Sequence, residues 1–216
     1  IRNDICYPNL NVVLVGMGTG YSYGKLGFSH HSIEDIGVLK PIPNLTILSP
    51  SDSLELDFFL KNIPSGPVYI RLGKSENEFG KIPKDFQTGF PRIIIQGEKN
   101  IILTYGDILG EAVEALKKLN EQEIYPTLAT IPTIKPINLE KVKELFSKYN
   151  KIIILEEHNY YGGLGESIKS LFSQKQIFSI SIPDKYISVV GDIEYCRKLM
   201  GIDKSSIFEK AIKIFK

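Results

Sequence analysis

The chain has 216 residues, of which 43% are hydrophobic and 24% are charged, a composition typical of a globular protein of one or two domains with a buried core. Its 26 basic residues nearly balance its 25 acidic residues, which argues against a basic surface for nucleic acid or for an anionic membrane. No apolar stretch reaches the roughly 20 residues of a bilayer-spanning helix, and the two widely separated cysteines, Cys6 and Cys196, favour buried free thiols in a reduced, cytoplasmic setting.

The first third of the chain predicts a parallel β-sheet. Three β-branched runs end at glycine or proline, as strands commonly do: NVVLVGMG (11–18), LTILSP (45–50) and GPVYIRLG (66–73). Apolar residues recur at helical spacing between them, so the strands should lie parallel and be joined by helices. The opening residues, IRNDICYPNL, are typical of the end of a helix, and we expect the chain to be part of a longer polypeptide.

Polar residues before the apolar periodic segments predict where helices begin. Ser32 with Asp35 resembles a capping pair. Ser51 or Asp52 can cap the helix that follows the second strand, and Asp107 can cap a later helix.

A linker and a hairpin are predicted in the middle of the chain. Residues 74 to about 90 mix charge, glycine and proline without periodicity, which is typical of a connection between two units. The next segment, RIIIQGEKNIILTYG (92–106), is interpreted as a β-hairpin with its turn near residues 97–100.

Strands and helices alternate again in the second half. Asn138 can cap one helix, and KIIIL (151–155) is apolar throughout, as the centre of a parallel sheet would be. We therefore predict an α/β protein with two parallel-sheet units: an incomplete first unit over residues 1–85 and a complete second unit over residues 86–216.

The loop GMGTGYSYGKLGFSHH (16–31) carries two of the three histidines. Ligands bind outside the carboxyl ends of parallel strands, so the loop is a candidate site. An imidazole can exchange a proton near neutral pH, and we favour His30 over His31 for that role. The glycines match neither GxGxxG nor GxxxxGK[ST], and a tight turn with packed histidines is the alternative.

Arg71 lies at the end of the third predicted strand. Its guanidinium can bind a phosphate or a carboxylate of a ligand, or it can pair with an acidic residue of the chain. Both alternatives stay open at this point.

A second glycine-rich turn occurs in IILEEHNYYGGLGESI (153–168). The amides at the start of the following helix could bind an anion, but we favour the interpretation that the glycines let helix and sheet approach closely. Successive side chains of a strand point in different directions, so Glu156, Glu157 and His158 do not predict a shared metal site.

Taken together, these motifs resemble the transketolase family. GFSHHSIEDI followed by PNLTILSPSD resembles its pyrimidine-binding domain. PVYIRLGK, ILTYGDILGEAVEAL, PTIKPIN and IILEEHNYYGGLGESI resemble the rest of its C-terminal half in the correct order. The resemblance covers nearly all of the chain and is greatest to the C-terminal subunit of split, two-chain transketolases, or to the matching section of a one-chain enzyme.

The resemblance implies a thiamine-diphosphate-dependent transferase of carbohydrate metabolism, in which a two-carbon ketol unit passes from a ketose donor to an aldehyde acceptor at a site between subunits. It implies that an N-terminal domain or partner subunit holds most of the cofactor and its magnesium, that the cofactor-activating glutamate lies upstream of this chain, and that this chain alone is inactive. A homodimer or heterotetramer in the cytoplasm is expected, with a sugar or sugar-phosphate substrate and without nucleic-acid or membrane partners.

The site residues follow by matching positions to the family's motifs. His30 falls on the histidine of the G-P-T-H-Q segment and would move a proton on and off substrate oxygens. Arg71 falls on an arginine that contacts the substrate phosphate, and Tyr21 and His31 are expected to contact the substrate beside them. We expect His30 and Arg71 to converge on one cleft. No residue of the chain is assigned to the cofactor or to a metal.

Two departures bear on the substrate. Leu26 stands where sugar-phosphate transketolases carry an aspartate, and Gly18 stands where they carry a second histidine. A leucine cannot accept a hydrogen bond from a substrate hydroxyl, which argues against the usual pentose-phosphate pair. Deoxyxylulose-phosphate synthase, the β-subunit of an oxo-acid dehydrogenase, and a non-catalytic dimerisation or interaction module are the alternatives.

Overall fold

The computed structural model describes residues 1–74 and 77–216, which form two β-sheets flanked by helices. The strands are β1 (Val13–Met17), β2 (Thr46–Leu48), β3 (Val68–Leu72), β4 (Arg92–Ile95), β5 (Asn100–Thr104), β6 (Thr127–Thr130), β7 (Thr133–Lys135), β8 (Lys151–Asn159) and β9 (Gln176–Ile182). The α-helices are α1 (Asp35–Leu39), α2 (Ser53–Lys61), α3 (Leu109–Asn120), α4 (Leu139–Ser147), α5 (Leu164–Leu171), α6 (Ile193–Met200) and α7 (Lys204–Phe215). None of the helices in this part of the chain has the length and apolarity required to cross a membrane.

The first sheet has the strand order β1, β3, β2, β7. Strands β1, β3 and β2 are parallel, which confirms the predicted crossovers. The carboxylate of Asp52 accepts a hydrogen bond from the backbone N–H of Glu55 at 2.9 Å and caps α2 as predicted. The predicted capping role of Asp35 is wrong, because its carboxylate instead pairs with Arg71.

The second sheet has the strand order β4, β6, β5, β8, β9, and only β4 runs antiparallel to its neighbour. The predicted hairpin is therefore wrong: β6 lies between β4 and β5. All four residues of β6 are buried, and the central place gives its backbone a partner on each edge. Strand β8 lies between β5 and β9, as its apolar sequence predicted.

Strand β7 joins the two sheets. After β6 the chain runs through Ile131 and Pro132 into β7, which pairs antiparallel with β2 of the first sheet. The backbone N–H of Ser49 also donates to the carbonyl of Pro132 at 2.7 Å. The first sheet thus includes a strand from beyond residue 85, and three residues are too short a run for sequence periodicity to reveal.

A buried ion-pair cluster fastens α2 to the second sheet. The Nη1 atom of Arg92 lies 3.0 Å from both carboxylate oxygens of Asp52 and 3.0 Å from Oε1 of Glu55. The hydroxyl of Thr130 also donates to Glu55, and burial raises the pKa of this glutamate. Because unpaired buried charges are costly, these contacts hold the start of α2 against β4 and β6.

The predicted cap of α3 by Asp107 is wrong. Its Oδ2 instead accepts a hydrogen bond from the backbone N–H of Lys74 at 2.6 Å, and α3 begins at Leu109 after a short 3₁₀ turn. Both cysteines are buried and free, which confirms the expected thiols. Asn138 caps α4 as predicted, by accepting from the N–H of Lys141 at 3.0 Å.

Candidate functional site

The loop between β1 and α1, which we call the histidine loop (residues 18–32), lies at the carboxyl edge of the first sheet. A pair of backbone hydrogen bonds closes it: Gly20 N–H donates to the Ser32 carbonyl at 2.8 Å, and Ser32 N–H donates back at 3.0 Å. Two 3₁₀ turns, Gly24–Leu26 and Phe28–His30, meet at Gly27, whose φ of +80° favours glycine. The sequence GKLGFSHH thus folds so that the histidines end the second turn.

His30 is exposed at the end of that turn. Its Nδ1 atom lies 3.1 Å from the hydroxyl oxygen of Ser29. An exposed imidazole at the carboxyl edge of a parallel sheet can exchange a proton with a molecule bound there. The role predicted for His30 is therefore geometrically open and stays a prediction.

His31 packs inward against Tyr21. The two rings meet edge to face, with centroids 4.9 Å apart and an interplanar angle of 86°. Within the described residues, neither ring nitrogen of His31 nor the hydroxyl of Tyr21 has a hydrogen-bond partner. Burial lowers the pKa of His31, and burial together with Glu157 raises the pKa of Tyr21, so both rings are neutral at pH 7.

An open cleft of about 680 Å³ lies against His31. Phe28 from the histidine loop and Tyr186 from the chain after β9 line it, together with Glu34, Ile187 and Ser188. The predicted substrate-contacting residues thus differ in access: His31 borders a cleft, whereas Tyr21 is fully buried behind it.

Arg71 is buried, with 2% of its surface exposed. Its Nε atom lies 3.1 and 2.9 Å from the two oxygens of Asp35, and its Nη2 atom donates to the carbonyls of Ser32 and Glu157 at 3.0 and 3.2 Å. This is the ion-pair alternative that the sequence left open. Burial would raise the pKa of Asp35, but Arg71 outweighs it and holds that pKa below its ordinary value.

The expectation that His30 and Arg71 open onto one cleft is therefore wrong. The guanidinium lies beneath the loop and binds its backbone at Ser32, while the His30 ring faces outward. The error arises because a residue at the end of a strand can point into the protein as easily as out of it, and only packing decides which.

Lys74, three residues after Arg71, is an exposed cation at the same edge. Its Nζ atom lies 3.8 Å from the centroid of the Tyr23 ring. Lys74 shares a cleft of about 280 Å³ with residues 22–26 of the histidine loop. Sequence reasoning missed it, although its position just beyond the strand PVYIRLG was a usable signal.

The second glycine-rich turn is occupied by the chain itself. Oε2 of Glu156 accepts hydrogen bonds from the N–H of Leu164 at 2.8 Å and from the hydroxyl of Tyr105 at 2.9 Å, while Oε1 accepts from the N–H of Gly165 at 3.0 Å. A Cβ atom on Gly163 would lie 2.6 Å from Oε2 of Glu156. The predicted close approach is confirmed, and burial raises the pKa of Glu156 to about 6.

The three polar residues at the end of β8 serve different partners, as the alternation of a strand predicted. Glu157 pairs with Arg197 on α6. His158 accepts a hydrogen bond at Nε2 from the N–H of Gly37 at 3.2 Å, so Nδ1 is protonated and donates to the carbonyl of Asn159 at 2.8 Å. Burial, together with Arg71, lowers the pKa of His158 to about 4.

Comparison with known proteins identifies the family. Residues 1–78 match the model of the transketolase pyrimidine-binding domain, and residues 91–204 match that of the transketolase C-terminal domain. The chain belongs to the transketolase family. This confirms the resemblance and the predicted α/β fold, and it places the chain in a family of transferase-type, thiamine-diphosphate enzymes.

Curated relatives assign the chain to the C-terminal part of such enzymes. It is 33% identical to one subunit of an apulose-4-phosphate transketolase of Actinobacillus succinogenes, over 99% of this chain and 71% of the relative. It is 30% identical to a transketolase C-terminal section of Methanocaldococcus jannaschii, over 100% of this chain and 70% of the relative. A 1-deoxy-D-xylulose-5-phosphate synthase of Dictyoglomus turgidum is 32% identical, over 99% of this chain and 36% of the synthase.

Solved structures agree with this assignment. A split gene transketolase described as an inactive beta4 tetramer superposes with a TM-score of 0.85 at 26% identity, over 100% of this chain and 72% of that chain. A transketolase from Pichia stipitis superposes with a TM-score of 0.76 at 19% identity, over 97% of this chain and 31% of that chain, and shows the same fold. The transketolase family member described here thus corresponds to the C-terminal part of the enzyme, as predicted.

Proposed function

We propose that this chain is the substrate-facing component of a two-component transketolase, which transfers a two-carbon ketol unit from a ketose donor to an aldehyde acceptor. The observation that carries the proposal is the histidine loop, which holds an exposed His30 at the carboxyl edge of the first sheet. The Actinobacillus succinogenes relative is named as one subunit of a transketolase, which supports an arrangement in which another subunit completes the enzyme.

We propose that the two components contribute different parts of the site in which the cofactor and the substrate meet. Within residues 1–74 and 77–216, no three acidic, histidine or cysteine side chains are grouped so as to hold a metal ion. We propose that this chain forms the substrate side of the site rather than the side that holds the diphosphate and its magnesium. We assign those groups to the N-terminal domain or partner subunit. When bound, thiamine diphosphate supplies the electron sink for carbon–carbon bond cleavage, and His30 exchanges a proton with a substrate oxygen.

Lys74 is the better candidate for an anionic group of the substrate. Its ammonium is exposed beside the histidine loop, and an ammonium is a suitable point charge for phosphate. Direct contact between Arg71 and a substrate would require release from Asp35, so we assign Arg71 a supporting role through its bond to the Ser32 carbonyl.

The pocket differs from that of a sugar-phosphate transketolase. A Cβ atom on Gly18 would lie 2.0 Å from the Tyr23 ring, and the φ of Gly18 is +93°, so Tyr23 leaves no room here for the histidine side chain that such enzymes carry. The side chain of Leu26 is 55% exposed and offers no acceptor. We propose a donor other than the pentose phosphates. The synthase relative at 32% identity makes pyruvate-dependent chemistry the second candidate.

Reconstitution tests the proposal. This chain is mixed with its complementary N-terminal component, thiamine diphosphate, Mg²⁺ and an aldehyde acceptor, and ketoses, ketose phosphates and pyruvate are supplied separately as donors. We expect two-carbon transfer from a ketose only when both components are present, and the mixture should form a heterotetramer by mass measurement. If pyruvate is the only donor that is turned over, the synthase is favoured. A stable complex without turnover of any donor would favour the non-catalytic interaction module and overturn the proposal.

A further inference from the structure

Glu157 is the point where the second sheet contacts the backbone of the histidine loop. Its Oε1 atom accepts a hydrogen bond from the N–H of Tyr21 at 3.2 Å. A Cβ atom on Gly20 would lie 2.4 Å from the carboxylate carbon, so glycine at this position lets the loop rest directly on the carboxylate. Gly20 is also the residue that pairs with Ser32 and closes the loop.

Arg197 fixes the orientation of that carboxylate. Its Nε and Nη2 atoms lie 3.1 and 2.6 Å from Oε1 and Oε2 of Glu157, a two-point contact that sets both position and angle. The two side chains are 8% and 3% exposed. Arg197 is in turn held by Glu111 of α3, with Nη1 3.5 Å from Oε1.

The same C-terminal segment supports the first 3₁₀ turn of the loop. Gly191 N–H donates to the carbonyl of Gly24 at 3.4 Å. A Cβ atom on Gly24 would lie 2.6 Å from the Gly191 carbonyl oxygen and 2.8 Å from Sγ of Cys196. Residues 191–197 therefore contact the loop directly at Gly24. They also contact it indirectly at Tyr21, through Glu157, and both positions precede His30 in the chain.

We propose that the Glu157 and Arg197 ion pair is a positioning device that holds the histidine loop in the conformation that presents His30. Both side chains are buried, and both belong to the unit that does not carry His30. The loop-holding role stands on the contacts above, and the catalytic consequence rests on the proposed function. The Asp52, Glu55 and Arg92 cluster is a matched comparison, because it is a buried ion pair between the same two units that does not contact the loop.

The test compares Arg197→Met and Arg197→Lys with the control Glu55→Gln. Backbone amide hydrogen exchange is followed across the chain, and kcat and KM are measured in the reconstituted enzyme. In Arg197→Met we expect exchange to rise about tenfold in residues 18–32 relative to β5 and β8, and kcat to fall about tenfold. Arg197→Lys, which keeps the charge but loses the two-point contact, should recover part of both. Glu55→Gln should not accelerate exchange in residues 18–32 selectively.

Each outcome decides the inference. If residues 18–32 exchange as in wild type when Arg197 is replaced, or if the loop loosens without a change in kcat, the positioning role is overturned. If Arg197→Met does not fold, Arg197→Lys decides by the same two measurements. If the wild-type assembly shows no transfer, the proposed function fails, and selective exchange in the loop alone decides whether the ion pair holds it.

Discussion

Each of the two glycine-rich segments of this transketolase family member follows a β-strand, but one is filled by a side chain of the chain itself, whereas the other leaves a histidine exposed. At the turn after β8, Glu156 occupies the helix amides and the glycines allow close packing. At the histidine loop after β1, the backbone is fastened from below while His30 stays exposed. Glycines at a strand end therefore indicate close backbone packing. Such a segment is a candidate for ligand binding only where its polar groups are not already bonded to other residues of the chain.

The largest expected effect on stability comes from removing the Glu156 carboxylate from the turn after β8. Glu156→Ala leaves the N–H groups of Leu164 and Gly165 and the hydroxyl of Tyr105 without their acceptor. At about 1–3 kcal/mol for each buried donor, we expect the free energy of unfolding to fall by about 4 kcal/mol, measured by urea denaturation. The control Glu140→Ala, exposed on α4, should leave the midpoint unchanged. Equal midpoints for the two variants would show that the turn does not need its carboxylate.

The buried His158 provides a pH-dependent test of the same region. Its pKa is about 4 in the folded protein against an ordinary value of 6.5, so the neutral ring contributes stability that is present above pH 6.5 and lost as pH falls through 4. At 1.36 kcal/mol per pKa unit, wild type should lose about 3 kcal/mol between pH 7 and pH 4 relative to His158→Gln. Glu156 titrates in both proteins, so the difference between their free energies of unfolding at each pH reports on His158. Parallel pH profiles of unfolding would contradict the buried neutral ring.

The exposed histidine should matter for catalysis and little for stability. In the reconstituted enzyme, His30→Ala should lower kcat by about 10²-fold, as loss of a proton-transfer group typically does. The thermal midpoint should stay near that of wild type, because the ring is exposed. Unchanged turnover with every active donor would remove His30 from the mechanism and make the two glycine-rich segments alike in being structural.

The smallest effect concerns the cation beside the loop. Lys74→Ala should raise KM for a phosphorylated donor about tenfold, because a charge-assisted contact of about 1.5 kcal/mol is lost. The unphosphorylated donor serves as the control and should keep its KM. Equal changes for both donors would assign Lys74 a role in the shape of the loop rather than in phosphate binding.

Residue types and their order predicted the family, the parallel strands and the caps at Asp52 and Asn138, because these depend on local patterns that survive in any context. The close approach at the second glycine-rich turn was also predictable, since glycine allows a helix to approach a strand. His30 was found as a candidate because an unusual residue follows a strand end.

Strand neighbours and side-chain directions depend on long-range packing, and local patterns did not predict them. Contacts between residues far apart in the chain decide three features that the sequence did not predict. They place β6 beside β4, bring β7 into the first sheet and turn Arg71 inward. A local pattern carries no information about which distant group will neutralise a buried charge. The order of residues was thus enough to reveal what kind of enzyme this chain belongs to, whereas packing set Arg71 and Glu157 beneath the histidine loop and left His30 facing outward.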